Sequence, residues 1–235
     1  MLKVSKKADS APEIFYSIQG EGANLGQPAV FLRLAGCNLK CAWCDTKYSW
    51  DWQHFDPREN SLEMSLDMIE TEIMQYTRPY LVVTGGEPLV QQKQLIPLIK
   101  RLKKAGFYIE IETNGTLVPD APLFALVDHW SLSPKLRSSG NPPVKRQNPA
   151  GYRMFAETRA SHFKFVIQDQ ADFNEVLNLI EKYKLPTEKI ILMPEGQTKE
   201  KLLQKSEWLV DLCKKHGYRF SPRLQTLLWG NERGK

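Results

Sequence analysis

Cys37, Cys41 and Cys44 fall within eight residues in the spacing Cys-x3-Cys-x2-Cys, and the fourth cysteine, Cys213, stands 169 residues further on. Three thiolates from one tight loop can hold three corners of a cubane iron–sulfur cluster, whose usual complement is four cysteines. The fourth iron would then be open to another ligand. The competing reading is a structural zinc closed by a remote residue such as Cys213 or His54. Zinc pairs normally come as short two-ligand knuckles, and Cys213 lies beside Leu209 and Leu212 in a predicted helix, where a buried free thiol is the plain explanation. A disulfide framework would need dispersed, paired cysteines, which this chain lacks. Spacing favours the cluster.

A cluster loop has to be positioned by regular structure. Apolar, β-branched runs predict strands over Ala29–Leu34, Tyr80–Thr84, Phe107–Glu112, His129–Leu132, His162–Ile167 and Lys189–Met193, with a short candidate at Tyr218–Phe220. Helical spacing links Leu66, Ile69, Ile73 and Tyr76, in a helix of about four to five turns that starts at Asn60, with Asn60 and Glu63 as a reciprocal cap. Further helices are predicted through Leu95, Leu98 and Leu102 up to Gly106, through Phe173, Val176 and Ile180, and over Thr198–His216 up to Gly217. Strand–helix alternation implies right-handed crossovers and a parallel sheet, hence an α/β fold. Four helices for six or seven strands suggest a partial, open (β/α) TIM-like barrel with a reduced helix count, not a closed eightfold one.

The other unusual motifs each follow a predicted strand: Gly85-Gly-Glu-Pro88, Glu112-Thr-Asn-Gly-Thr116, Ser133-Pro-Lys135, Gln168-Asp169 and Pro194-Glu-Gly196. Sites in parallel barrels and open α/β sheets lie at the carboxyl ends of the strands, so one pocket can receive all of them and the cysteines. Taken singly, each motif reads equally well as a turn that needs Gly, Pro, Asn or Asp. Residues 134–160 show no periodicity and read as a flexible or lid-like insertion in a single domain, 1–235.

With 42% apolar residues the chain can bury a sizeable core, which excludes disorder as its main state. No apolar window is long enough to cross a membrane, and Met1–Ser10 carries three lysines without an apolar run, so the expected compartment is the cytoplasm. The net charge of +5 modestly favours anionic ligands. The lysines are spread over several helices, and no direct nucleic-acid or membrane contact is expected. The four histidines read as structural or surface residues.

The cysteine triplet, followed by an aromatic-bearing loop and a downstream Gly-Gly-Glu-Pro, resembles the radical S-adenosylmethionine superfamily. A narrower likeness extends over almost the whole chain in order. Ser17–Gly22, Phe31–Thr46, Thr84–Pro88, Glu112–Gly115, Ser133–Lys135 and Ser221–Gly230 together resemble the 7-carboxy-7-deazaguanine synthase family. Membership implies a radical lyase that converts 6-carboxy-5,6,7,8-tetrahydropterin to 7-carboxy-7-deazaguanine with loss of ammonia, on the route to deazapurine nucleosides such as queuosine in tRNA. It implies a 4Fe–4S cluster on Cys37, Cys41 and Cys44, and S-adenosylmethionine beside Trp43, Cys44, Asp45, Gly86, Ser133, Pro134, Lys135 and Gln168. Mg²⁺ would sit on Thr46, and the pterin would meet Gln19, Gly20, Glu21, Arg33 and Thr84. The implied partners are a flavodoxin- or ferredoxin-type reductant and a second copy of the chain.

Two positions depart from the family pattern: Gln225 stands where relatives often carry His, and Asn231–Lys235 runs on past the motif. Two other readings stand beside this one. An activating enzyme of the same superfamily would pass its radical to a glycyl-radical partner protein, and a zinc-bearing RNA-binding module would use the lysines.

Overall fold

The computed structural model describes residues 1–235. The chain starts with β1 (Leu2–Ser5) and the hairpin strands β2 (Ile14–Ile18) and β3 (Pro28–Leu34). It then runs through the cysteine loop to α1 (Pro57–Asn60), β4 (Ser61–Met64) and α2 (Leu66–Met74). The alternating part follows: β5 (Tyr80–Gly85), α3 (Gln92–Lys104), β6 (Tyr108–Thr113), α4 (Ala121–Leu126) and β7 (His129–Leu132). Next come α5 (Pro143–Arg146), α6 (Pro149–Glu157), β8 (Ser161–Ile167), α7 (Gln170–Tyr183), β9 (Ile190–Pro194), α8 (Lys199–His216), β10 (Arg219–Phe220) and α9 (Leu224–Trp229).

All ten strands join one sheet in the order β10-β9-β8-β7-β6-β5-β3-β1-β4, with β2 also on β3. Neighbours from β3 to β10 are parallel, and β1, β2 and β4 add antiparallel pairs at the other end. β4 and β10 are the unjoined ends, so the barrel is partial and open, as expected. A two-residue side-chain period then decides what each strand presents. Leu32, Leu34, Val83, Ile109, Ile111, Phe163, Phe165 and Leu192 pack into the main core with the helices. Their alternates Arg33, Thr84, Glu112, Lys164 and Met193 take the other face and line a cavity.

The helices hold this arrangement from outside. In α3 the buried set Leu95, Leu98, Ile99 and Leu102 follows the helical period, and Gly106 at φ +84° ends the segment. Asp169 and Thr198 cap α7 and α8 by accepting backbone N–H groups, and such caps contribute about 1 kcal/mol each. No helix is long and apolar enough to cross a membrane.

Three sequence expectations are corrected. The helix expected from Asn60 begins at Leu66, where Ser65 accepts the Met68 N–H at 3.2 Å. Asn60 instead closes the single-turn α1, and Glu63 lies in β4 opposite Lys3, so the expected cap pair is absent. Antiparallel pairing of β4 with β1 outweighs local helical propensity there. α4 and α6 raise the four expected crossover helices to six; α4 has six residues, too few for a period to show. Residues 134–160, expected to carry no regular structure, contain α5 and α6 and contribute buried side chains. Tyr152, Phe155 and Arg146 are buried, and the Tyr152 hydroxyl donates to the Arg146 carbonyl at 3.0 Å.

Candidate active site

β3 ends against Gly36, whose φ of +94° suits glycine and whose N–H donates to the Ser49 carbonyl at 2.7 Å. That bond closes residues 37–48 into a loop over the strand end. Cys37, Cys41 and Cys44 all line the cavity beneath it, together with Trp43, Asp45, Thr46, Gly86, Ser133 and Lys135. No group of three or more His, Cys, Asp and Glu side chains converges on a point that a single ion could fill. Both candidate zinc closers are elsewhere: Cys213 donates to the Arg219 carbonyl at 3.5 Å, and His54 pairs with Asp51 at the surface. Three thiols from one loop match the corners of a multi-iron cluster, and with Cys213 and His54 engaged elsewhere a tetrahedral zinc would lack the fourth ligand expected for it. Burial pushes the Cys37 thiol up to about 12 and raises Cys41 as well, and metal binding takes such thiols in their deprotonated form.

Around the cysteines, the Trp43 indole N–H is buried without a partner, and Lys135 lies 5.5 Å from that ring while donating to Ser133 Oγ at 2.9 Å. The Thr46 hydroxyl is 3.6 Å from Cys44 Sγ. Gly86 donates its N–H to the Leu34 carbonyl at 3.0 Å, and a Cβ there would stand 2.2 Å from the Gly36 carbonyl oxygen. Its glycine is thus required by the backbone that leads into Cys37. Gly86→Ala is expected to cost about 1–3 kcal/mol through overpacking, and to lower the iron retained after reconstitution. Urea denaturation and iron analysis check this; unchanged values for both would contradict the packing.

Two sequence-predicted residues are not brought to the cavity. Gln168 is exposed, because Asp169 caps α7 and turns the chain outward before the inward register of Lys164 and Val166 can continue. Pro134 also lies outside the lining, between Ser133 and Lys135, which are in it. None of the four histidines lines the cavity.

The opposite wall carries Gln19, Gly20, Glu21, Arg33 and Thr84. The Gln19 amide donates to Glu110 and Glu112, 3.2 Å from an oxygen of each, and accepts the Glu21 N–H at 3.2 Å. Thr84 Oγ1 donates to Glu112 at 2.8 Å. Arg33 Nε donates to Glu13 at 2.8 Å, and Tyr48 donates to the same carboxylate at 3.0 Å; only Nε of the guanidinium is engaged within the chain. Glu21 is bound by Lys164, by Arg223 at 3.1 Å and by the Gln225 amide at 2.6 Å. Burial alone would raise its carboxyl, but Lys164 and Arg223 outweigh it and hold it well below the usual range. Arg223 also pairs with Asp45 and donates to the Gly196 carbonyl at 2.8 Å, which ties the two walls together. Gln225 keeps a buried Oε1 without a partner.

From sequence, Glu112 stood out only as the head of a strand-end motif and Gln225 only as a departure from the family pattern, and Lys164 and Arg223 were not singled out. The signal for Glu112 and Lys164 was present. A charged residue alternating with core residues in a strand whose other face carries helices must point to the concave side. Arg223 gave no local signal, since its carboxylate partners Glu21 and Asp45 lie 202 and 178 residues away.

The family model for the Radical SAM superfamily matches residues 32–133, the span from β3 through the cysteine loop to the end of β7. The 7-carboxy-7-deazaguanine synthase of Pyrobaculum aerophilum is 38% identical, with 95% of this chain and 96% of that one covered. That of Halobacterium salinarum is 35% identical, covering 93% and 90%. Among solved structures, QueE from Escherichia coli superposes with a TM-score of 0.69 at 26% identity over 94% of both chains. With 15% identity and a TM-score of 0.59, Streptococcus suis SuiB shares the fold alone. The cysteine loop, the strand-end cavity and these likenesses agree: the chain belongs to the 7-carboxy-7-deazaguanine synthase family of the radical S-adenosylmethionine superfamily.

Proposed function

We propose that this cavity converts 6-carboxy-5,6,7,8-tetrahydropterin to 7-carboxy-7-deazaguanine with loss of ammonia, as a step in deazapurine biosynthesis. One observation carries the proposal: the three thiols and the polar wall of Gln19, Glu21 and Arg33 face each other across a single cavity. Neither the glycyl-radical activating enzyme nor the RNA-binding module needs that wall, and family membership displaces both.

When bound, the 4Fe–4S cluster and S-adenosylmethionine supply a 5′-deoxyadenosyl radical that removes a substrate hydrogen. The chain's own residues bind and orient. Trp43, Asp45, Gly86, Ser133 and Lys135 flank S-adenosylmethionine, with the free indole N–H of Trp43 available to one of its acceptors. Thr46 offers its hydroxyl to Mg²⁺, which is commonly held by few protein groups plus substrate oxygens. Glu21, kept ionised by Lys164 and Arg223, accepts N–H groups of the pterin edge, and the Gln225 amide helps to hold that carboxylate. Gln19, its amide N–H groups already committed to Glu110 and Glu112, holds Glu21 and Gly20 in place. The unused end of Arg33 grips the substrate carboxylate. A flavodoxin- or ferredoxin-type reductant, a homodimer and a cytoplasmic location complete the proposal, on the strength of the chemistry and the family.

Arg33→Lys keeps the charge and loses the fork. The expected result is a KM for the pterin raised about tenfold or more, in line with one charged hydrogen bond, while 5′-deoxyadenosine formation continues. Steady-state kinetics with both products quantified give the answer, and equal turnover at low substrate would contradict the assignment of Arg33.

A further inference from the structure

Each cysteine sulfur in the loop receives one N–H, and each comes from a different source. Asn141 Nδ2 lies 3.3 Å from Cys41 Sγ, Trp50 Nε1 lies 3.2 Å from Cys44 Sγ, and the Leu39 backbone N–H lies 3.4 Å from Cys37 Sγ. We propose that Asn141 and Trp50 set the reduction potential of the cluster on these cysteines by hydrogen-bonding to two of its sulfur ligands. This rests on the cluster reading given above.

Donor direction is fixed in both cases. An indole nitrogen can only donate. The Asn141 amide is oriented by its other end, because Oδ1 accepts the Lys40 N–H at 3.0 Å, which leaves Nδ2 facing Cys41 and Ser139. The asparagine is also buried, at 8% exposure, so water cannot replace it readily. The structure holds it from behind. Arg146 Nε donates to the Asn141 carbonyl at 3.0 Å, and Arg146 is itself buried and paired with Glu175. Ala42 N–H donates to the Ser139 carbonyl at 3.0 Å and joins this segment to the cysteine loop. The packing of residues 134–160 therefore delivers one amide to one sulfur.

An N–H directed at a thiolate sulfur draws off negative charge and stabilises the reduced cluster, which carries one more electron. Asn141 and Trp50 thus make the cluster easier to reduce, and they act through Cys41 and Cys44 as positioning residues.

The test is an EPR-monitored redox titration of anaerobically reconstituted protein, with wild type, Asn141→Leu and Trp50→Phe compared at equal iron content. Each variant is expected to show a midpoint more negative by about a tenfold change in the reduction equilibrium, which is 59 mV for one electron. The two shifts should add in the double variant, since the sulfurs differ. Should Asn141→Leu fail to fold, Asn141→Asp retains the acceptor for Lys40 and replaces the donor with a charge, and it should lie lower still. Unchanged midpoints in the variants, with a fully assembled wild-type cluster, overturn the proposal alone. A wild-type chain that gives no iron–sulfur signal overturns the cluster reading and the proposal with it.

Discussion

Cys41→Ala is expected to abolish both 5′-deoxyadenosine and deazapurine formation while the chain stays folded. Cys41 is one of three thiols around the cavity, and no other cysteine can replace it, because Cys213 is committed within the fold at the end of α8. Losing a corner ligand removes the cluster's attachment and hence the electron that the cofactor chemistry needs. Replacing the S–H group by hydrogen at a small buried side chain removes little volume, so the direct cost in stability is about 1 kcal/mol. Activity and folding are therefore expected to separate. Quantifying both products beside a far-UV circular dichroism melt checks this. A variant that still forms 5′-deoxyadenosine at an appreciable rate would contradict the assignment of the three cysteines.

The second large effect is expected at Arg223. Its side chain, 12% exposed, meets Glu21, Asp45 and the Gly196 carbonyl, and so links the polar wall, the cysteine loop and the end of β9. Arg223→Met would keep the bulk and leave Asp45 without its cation and Glu21 with Lys164 as its one remaining cation, beside the Gln225 amide. Breaking a buried ion pair by removing one partner costs about 3–5 kcal/mol. The urea midpoint is expected to fall accordingly, and turnover to drop by more than tenfold as both walls lose register. Arg223→Lys should recover part of the stability, since it restores charge without the fork. An Arg223→Met protein with native stability and turnover would show that the link between the walls has no energetic weight.

The parallel part of the fold was legible because each strand from Tyr80 onward is short, apolar and separated from the next by a helix or a turn signal. Gly106 and Gly217 marked helix ends where positive φ is needed. The sequence pattern misled where pairing over long range decided the outcome. Ser61–Met64 reads as the first turn of a helix and becomes a strand because β1, some sixty residues earlier, offers an edge. Residues 134–160 have no period because two short helices started by Pro143 and Pro149 bury only isolated residues, Arg146, Tyr152 and Phe155 among them.

The site followed the same division. Cys37, Cys41, Cys44 and the motifs at strand ends were readable because a loop or turn holds them close in sequence. Gln168 faces outward because alternation along β8 stops at the Asp169 cap. The Arg223–Glu21–Lys164 cluster draws one residue from near each end of the chain and one from the middle, so no window of sequence could contain it.

The most direct measurement is mass spectrometry of the products formed when anaerobically reconstituted protein is given S-adenosylmethionine, a reductant, Mg²⁺ and 6-carboxy-5,6,7,8-tetrahydropterin. The expected result is 7-carboxy-7-deazaguanine, with 5′-deoxyadenosine alongside it. Formation of 5′-deoxyadenosine without the deazapurine, from protein with a full iron–sulfur complement, would contradict the proposed reaction and the roles given to Glu21 and Arg33.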